Sequence, residues 1–148
     1  MGVLSVLRIA GSALTAQRLR MDVTAGNIAN AEATSTPQGG PYKREQVVFS
    51  PTPASAVVDS SQSSRSGATP QVGGVQVQSI VQDSSPGRLV YDPEHPDARP
   101  DGYVEFPNVD LVTEMTDMLS ASRAYEANVT VINVAKSMAQ RALDIGRG

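Results

Sequence analysis

The stretch NVDLVTEMTDMLSASRAYEANVTVINVAKSMAQRALDIG, residues 108–146, decides the fold. It contains no proline, and two rows run through it at a spacing of seven. Met115, Ser122, Val129, Lys136 and Leu143 make one row, and Leu111, Met118, Tyr125, Ile132 and Ala139 make the adjacent one, three or four residues away. That offset places both rows on one side of a single helix and predicts a seam of the coiled-coil kind. The ends carry matching signals. Pro107-Asn108 offers an N-cap, Asp110, Glu114 and Asp117 put negative charge at the positive end of the dipole, and Arg141, Gly146 and Arg147 mark the other terminus. At 1.5 Å per residue the helix runs roughly 55 Å. A small globule cannot cover that length, so the helix needs a long partner.

The other end of the chain supplies one. All ten prolines lie between Pro37 and Pro107, and proline costs a helix interior about 3 kcal/mol. Helices are therefore expected at both ends and not between them. In the first segment Leu7, Leu14, Met21 and Ile28 recur every seven residues, and Val3, Ala10 and Ala31 extend a neighbouring row. Asn27, Asn30 and the run Thr34-Ser35-Thr36-Pro37 signal the end of this helix. The chain thus divides into an N-terminal helix, 1–33, a central region of loops and short strands, 34–107, and a C-terminal helix, 108–146. Narrow seams on both terminal helices favour pairing with each other and with neighbouring subunits.

The middle reads as a small β module set among Pro-, Gly- and Ser-rich loops. Residues 50–74 are dominated by Ser, Thr, Pro, Gln, Ala and Gly, a composition too poor in apolar surface to offset chain entropy, and are expected to form a loop. Val75-Gln76-Val77-Gln78 alternates as a half-buried strand does; Ile80-Val81, a turn at Pro86-Gly87 and the run Leu89-Val90-Tyr91 complete an expected hairpin. Val47-Val48-Phe49 and Tyr103-Val104-Glu105-Phe106 are further short strands, and Gly39-Gly40-Pro41 and Gly73-Gly74 read as turns.

Composition and motifs remove most other functions. With 148 residues, 12 basic against 15 acidic side chains and a formal charge of −3, the chain lacks the basic surplus that tracks nucleic acid. No cysteine is present, so thiolate metal sites and cysteine nucleophiles are ruled out. Aromatics are 4% of the chain and tryptophan is absent, so any core is light and aliphatic. A spanning helix needs about 20 consecutive apolar residues. Arg8, Gln17, Arg18 and Arg20 interrupt the best candidate, and no basic residue precedes the apolar start as in a cleaved signal. The single histidine, His95, sits among Asp92, Glu94, Asp97 and Asp101, but Pro96 falls where a calcium loop needs its third oxygen ligand; a stiff solvated turn is expected. No serine lies in a nucleophile motif, and Tyr42-Lys43-Arg44 reads as a solvated loop. The expectation is a protein that is not an enzyme and takes no cofactor, metal or small-molecule substrate.

Two groups of residues carry a family resemblance. The first is Ala25-Gly26-Asn27-Ile28-Ala29-Asn30-Ala31, followed by Thr34, Pro37, Gly39-Gly40-Pro41-Tyr42 and Arg44. The second is His95-Pro96-Asp97-Ala98, Gly102-Tyr103-Val104-Glu105-Phe106-Pro107-Asn108-Val109, Glu114-Met115, and Ala121-Ser122-Arg123-Ala124-Tyr125-Glu126-Ala127-Asn128-Val129. Together they resemble the rod and hook axial proteins of the bacterial flagellum, with Gly26 standing where relatives commonly carry Asn. The resemblance implies a mainly α fold whose terminal helices pair as an antiparallel coiled coil and line a tube, with the middle facing outward. It implies export by the flagellar type III apparatus without a cleaved signal, helical polymerisation in the periplasm as part of the basal-body rod, and transmission of torque. The implied partners are other copies of the chain and the rod proteins FlgB, FlgF, FlgG and FliE. Mapped onto this sequence, the assembly interface comprises Leu7, Leu14, Met21, Asn27, Ile28, Asn30, Leu111, Met115, Met118, Tyr125, Val129, Ile132 and Leu143.

Overall fold

A computed structural model describes residues 2–53 and 72–146. Helix α1 spans Val3–Ala29, strand β1 Glu45–Pro53, β2 Val72–Gln82, β3 Arg88–Tyr91, β4 Tyr103–Phe106, and helix α2 Leu111–Ile145. The proline-free ends are the two helices, as the sequence predicts. They run antiparallel: Val3 and Val6 lie along Val131, Val134 and Met138, Arg20 meets Asp117, and Asn27 meets Glu114. α1 also carries β1 and β2 on another side, whereas among the described residues α1 is the only element that α2 packs against.

The cap of α2 is two residues later than expected. Asn108 does not cap; Asp110 does, its carboxylate accepting from the Val112 N–H at 3.1 Å and the Thr113 hydroxyl at 2.8 Å. The Thr113 hydroxyl and the Val112 N–H hold the Asp110 carboxyl below the usual carboxylate range. Asn108 instead bridges loops: its side-chain oxygen accepts from the Arg44 N–H at 2.9 Å, and its amide donates to the Asp83 carbonyl at 3.1 Å.

The strands pair differently from the expected hairpin. β2 pairs antiparallel with β1, and β3 pairs antiparallel with β4. The segment between β2 and β3 does not reverse the chain onto itself. The Asp83 N–H donates to the Arg44 carbonyl at 2.7 Å, continuing the β1 side of the ladder. The Asp83 carboxylate then takes the Ser85 hydroxyl and N–H, a local turn that leads the chain away. The expected loop over 50–74 is also shorter: residues 50–53 belong to β1 and 72–74 to β2, while 54–71 lie outside the described residues.

Gly73-Gly74 is not a turn but part of β2. A Cβ on Gly74, whose φ is +150°, would stand 2.5 Å from Ser12 Oγ. That hydroxyl accepts from the Val75 N–H at 3.1 Å, so the missing side chain lets β2 cross α1 at backbone range. The core is light. Its buried apolar residues are Ala10, Ala16, Val104, Ala121 and Ala135, and Thr24, Asn27 and Glu114 are buried beside them.

Gly87 gives a local test. A Cβ there would lie 1.9 Å from the Phe106 carbonyl oxygen, which is backbone and cannot step aside. Gly87→Ala is expected to separate β3 from β4 at a cost of about 1–3 kcal/mol. Backbone amide exchange at Val90 and Val104 should rise while the helices stay protected; unchanged protection at these amides would refute the clash.

Candidate assembly site and the clasp behind it

Glu114, on the first turn of α2, is 1% exposed, and its carboxylate is held from two directions. Arg44 donates from Nε to Oε1 at 2.5 Å, and Asn27 donates from Nδ2 to Oε2 at 2.9 Å. A buried carboxylate is stable only with such partners, because removal from water otherwise favours the neutral form. Asp117, one turn on, binds Arg20 at 2.9 Å and Arg44 at 3.4 Å. Two arginines from different segments thus face two carboxylates of α2.

Asn27 is the hub of this clasp and is equally buried. Its Nδ2 also donates to the Glu45 carbonyl at 2.8 Å, while Oδ1 accepts from the Glu45 N–H at 2.9 Å and the Tyr42 hydroxyl at 3.0 Å. The side-chain amide meets the Glu45 backbone as a neighbouring strand would, and so starts β1 at a fixed place on α1. Burial raises the Tyr42 phenol above its usual value, with the Glu45 and Glu114 carboxylates adding to the effect; the phenol stays a neutral donor. Tyr42 and Arg44 are therefore not part of a solvated loop; only Lys43 between them is exposed. Thr34 joins the second motif directly, donating its hydroxyl to Asp97 at 2.6 Å. Asn30 donates from Nδ2 to the Gly26 carbonyl at 2.8 Å and closes the end of α1. At Gly26 a Cβ would meet nothing within 4 Å.

His95 stands in the stiff turn, where its Nδ1 accepts from the Asp97 N–H at 3.1 Å. Among the described residues no three His, Asp or Glu side chains converge as metal ligands.

The seam residues fall into two groups. Leu7, Leu14, Met21, Ile28, Met118, Tyr125, Val129 and Ile132 are half-buried, whereas Leu111, Met115 and Leu143 are exposed. The row that faces α1 most closely is a third one, Glu114, Ala121, Asn128 and Ala135, in which all but the half-buried Asn128 are buried. Weighting by large apolar residues hides it, because small side chains mark where two helices approach most closely. The available signal was the alignment of two alanines with Glu114 at a spacing of seven. Toward the far end of the pair an apolar groove of about 330 Å³ opens between Val3 and Val6 on α1 and Val131, Val134 and Met138 on α2.

The comparisons with known proteins fall on the two segments that the clasp joins. Residues 7–38 match the family described as flagella basal body rod protein, and residues 101–145 match the C-terminal family of flagellar basal body rod FlgEFG proteins. Over the whole of both chains the sequence is 49% identical to the flagellar basal-body rod protein FlgC of Borreliella burgdorferi. It is 43% identical to that of Escherichia coli, covering 99% of this chain and 100% of the relative. With the Bacillus subtilis protein the identity is 45%, over 95% of this chain and 96% of the relative. The chain belongs to the FlgC family of flagellar basal-body rod proteins.

Proposed function

We propose that the protein, a structural subunit of the flagellar rod, forms part of its proximal segment and works mechanically. It leaves the cytoplasm through the flagellar type III apparatus, polymerises helically in the periplasmic space through its terminal helices, and carries torque from the membrane rotor outward. Its neighbours are other copies of itself and the rod proteins FlgB, FlgF, FlgG and FliE, and it catalyses no reaction. The assembly surface is drawn from both helices: Leu7, Leu14, Met21, Ile28 and Asn30 on the first, and Leu111, Met115, Met118, Tyr125, Val129, Ile132 and Leu143 on the second; Asn27, buried in the clasp, fixes the helices behind that surface and does not lie in it. Many such contacts loaded in parallel suit a shaft, and a heterologous interface that does not close is the route to a helical tube.

The observation that supports this reading is surface left uncovered. Eight large apolar side chains of α2 lie exposed beside Leu111. Such a chain is built to be covered by others.

Deleting the gene in the source organism tests the proposal. The expected result is loss of swimming and basal bodies with rings but no rods, both restored by the gene on a plasmid. Swimming cells with complete rods would overturn it.

A further inference from the structure

The row of α2 that packs on α1 does not by itself fix where α2 stands along it. Ala121, Asn128 and Ala135 follow Glu114 at a spacing of seven, and Ala142 continues the row. Ala142 is exposed, because α2 runs on past Met138 and Val3, where α1 begins. A move of α2 along α1 by one heptad, about 10.5 Å, would keep the helices in contact and cover this overhang. Ala121 would take the place of Glu114, Asn128 that of Ala121, and Ala142 that of Ala135. Asn128 already donates its amide to the Ala124 carbonyl of its own helix, at 2.7 Å. On the flank Tyr125 and Ile132 would stand where Met118 and Tyr125 now stand, and Lys136, in place of Val129, can lay its stem along the surface. A move the other way is barred, because Pro107 and β4 would have to become helix.

What separates the two registers is charge. As built, Glu114 meets Asn27 and Arg44, and Asp117 meets Arg20. One heptad on, their places fall to Ala121 and Ala124, and Asn27, Arg20 and Arg44 would lose the carboxylates of α2 that they now hold. Polar groups buried without partners reject a wrong register more sharply than a row of small side chains does. Asn108, held by Arg44 and Asp83, ties down the chain just before α2 but leaves the first two turns of the helix free to unwind.

We propose that the Glu114 and Asp117 carboxylates, rather than the alanine row or the Asn108 tether, set the register of α2 on α1. The clasp thereby decides which residues of the two helices stand level with one another along their whole length, and so the shape of any surface drawn from both.

The test moves the two carboxylates by one heptad. Glu114→Ala, Asp117→Ala, Ala121→Glu and Ala124→Asp together leave composition and net charge unchanged, and Asn128→Ala, carried by every chain in the test, makes the row alanine throughout. The sequence has no cysteine, so Val6→Cys with Val134→Cys reports the present register across the groove, and Val6→Cys with Arg141→Cys reports the shifted one. The purified full-length chains are treated, dilute, with a bifunctional maleimide that spans the groove, and the linked single chains are identified by mass. With the carboxylates in place, the 6–134 link is expected to exceed the 6–141 link roughly tenfold; with the carboxylates moved, the preference should invert. A moved-carboxylate chain that keeps its helical circular dichroism and still prefers the 6–134 link would overturn the proposal and leave the register to the tether or the packing. If that chain loses its helices, a second one decides. Arg20→Leu, Arg44→Met, Glu114→Met and Asp117→Leu replace the charges by apolar side chains, a change that buried ion pairs often tolerate, and both links should then form to within about threefold of each other. An undiminished preference for 6–134 would overturn the proposal, and so would loss of the helices in this chain too, which would mean that the charges hold the helices together rather than choose between registers.

Discussion

Glu114→Ala is expected to destabilise the fold by about 3–5 kcal/mol, the cost of breaking a buried ion pair from one side. The magnitude follows from what is left behind. Arg44, whose side chain is 19% exposed, keeps its charge and loses the carboxylate 2.5 Å from its Nε. Asp117 still faces Arg44, at 3.4 Å, but shares its charge with Arg20. The Asn27 amide loses one of its two acceptors in a place without water access. For a domain with about 5–15 kcal/mol of total stability, the loss is a large fraction of the whole. Glu114→Gln is the informative companion. It keeps an acceptor for Asn27 and nearly the same volume while removing the charge opposite Arg44, so its loss should be clearly smaller. The urea midpoint of the purified chain measures both. Equal midpoints for wild type and Glu114→Ala would show that the pair is not closed in solution.

The helices were legible because proline placement and sevenfold spacing are local properties of the chain. α1 and α2 fall where these signals put them, and the strands at Val47, Val75, Leu89 and Tyr103 follow from β-branched and aromatic runs. Partnership was not legible, because it depends on residues far apart in sequence. Nothing within a few positions of Val75 says that its strand pairs back to Pro51 rather than forward to Leu89. The same holds for the clasp. As a sequence element Glu114 is an acidic residue on a first helical turn, whose ordinary role is to meet the dipole. Only the fold brings Arg44 and Asn27, 70 and 87 positions away, to its two oxygens. Gly74 has the local look of a turn because glycine is ambiguous in sequence; its reason is Ser12, on a different element. The two alanines that bring the helices together, Ala121 and Ala135, fall outside both rows of large apolar side chains and so leave no mark on that pattern.

Asn27→Asp is expected to cost more than Asn27→Ala, although it exchanges only an NH₂ for an oxygen. Alanine leaves the Glu45 N–H and carbonyl, the Tyr42 hydroxyl and one Glu114 oxygen without their partner. At about 1–3 kcal/mol for each buried group left unpaired, with partial relaxation, a loss of about 2–4 kcal/mol follows. Aspartate keeps the acceptor that the Glu45 N–H and Tyr42 use, but it turns the donor into a second acceptor. That oxygen would then stand 2.8 Å from the Glu45 carbonyl and 2.9 Å from the Glu114 carboxylate if nothing moved, and two carboxylates so placed cannot both stay ionised cheaply. The new carboxyl would take up a proton more readily in the folded state than in the unfolded one. The sign is then fixed: its protonated form favours folding, and that advantage is lost as pH rises through its raised value. Relative to Asn27→Ala at the same pH, Asn27→Asp should therefore be the less stable near neutrality, and the gap should narrow or reverse on acidification as the protonated oxygen becomes a donor again. Using the alanine variant as the reference at each pH cancels the titration of Asp110 and Asp83, whose depressed values weaken every variant alike as pH falls. Urea midpoints for the two variants at neutral and mildly acidic pH decide the matter. A gap that does not change with pH would mean that Asn27 does not donate to Glu114. The hub would then reduce to the contacts with Glu45 and Tyr42, and the two helices would be held in register by their alanines and the Arg20–Asp117 pair.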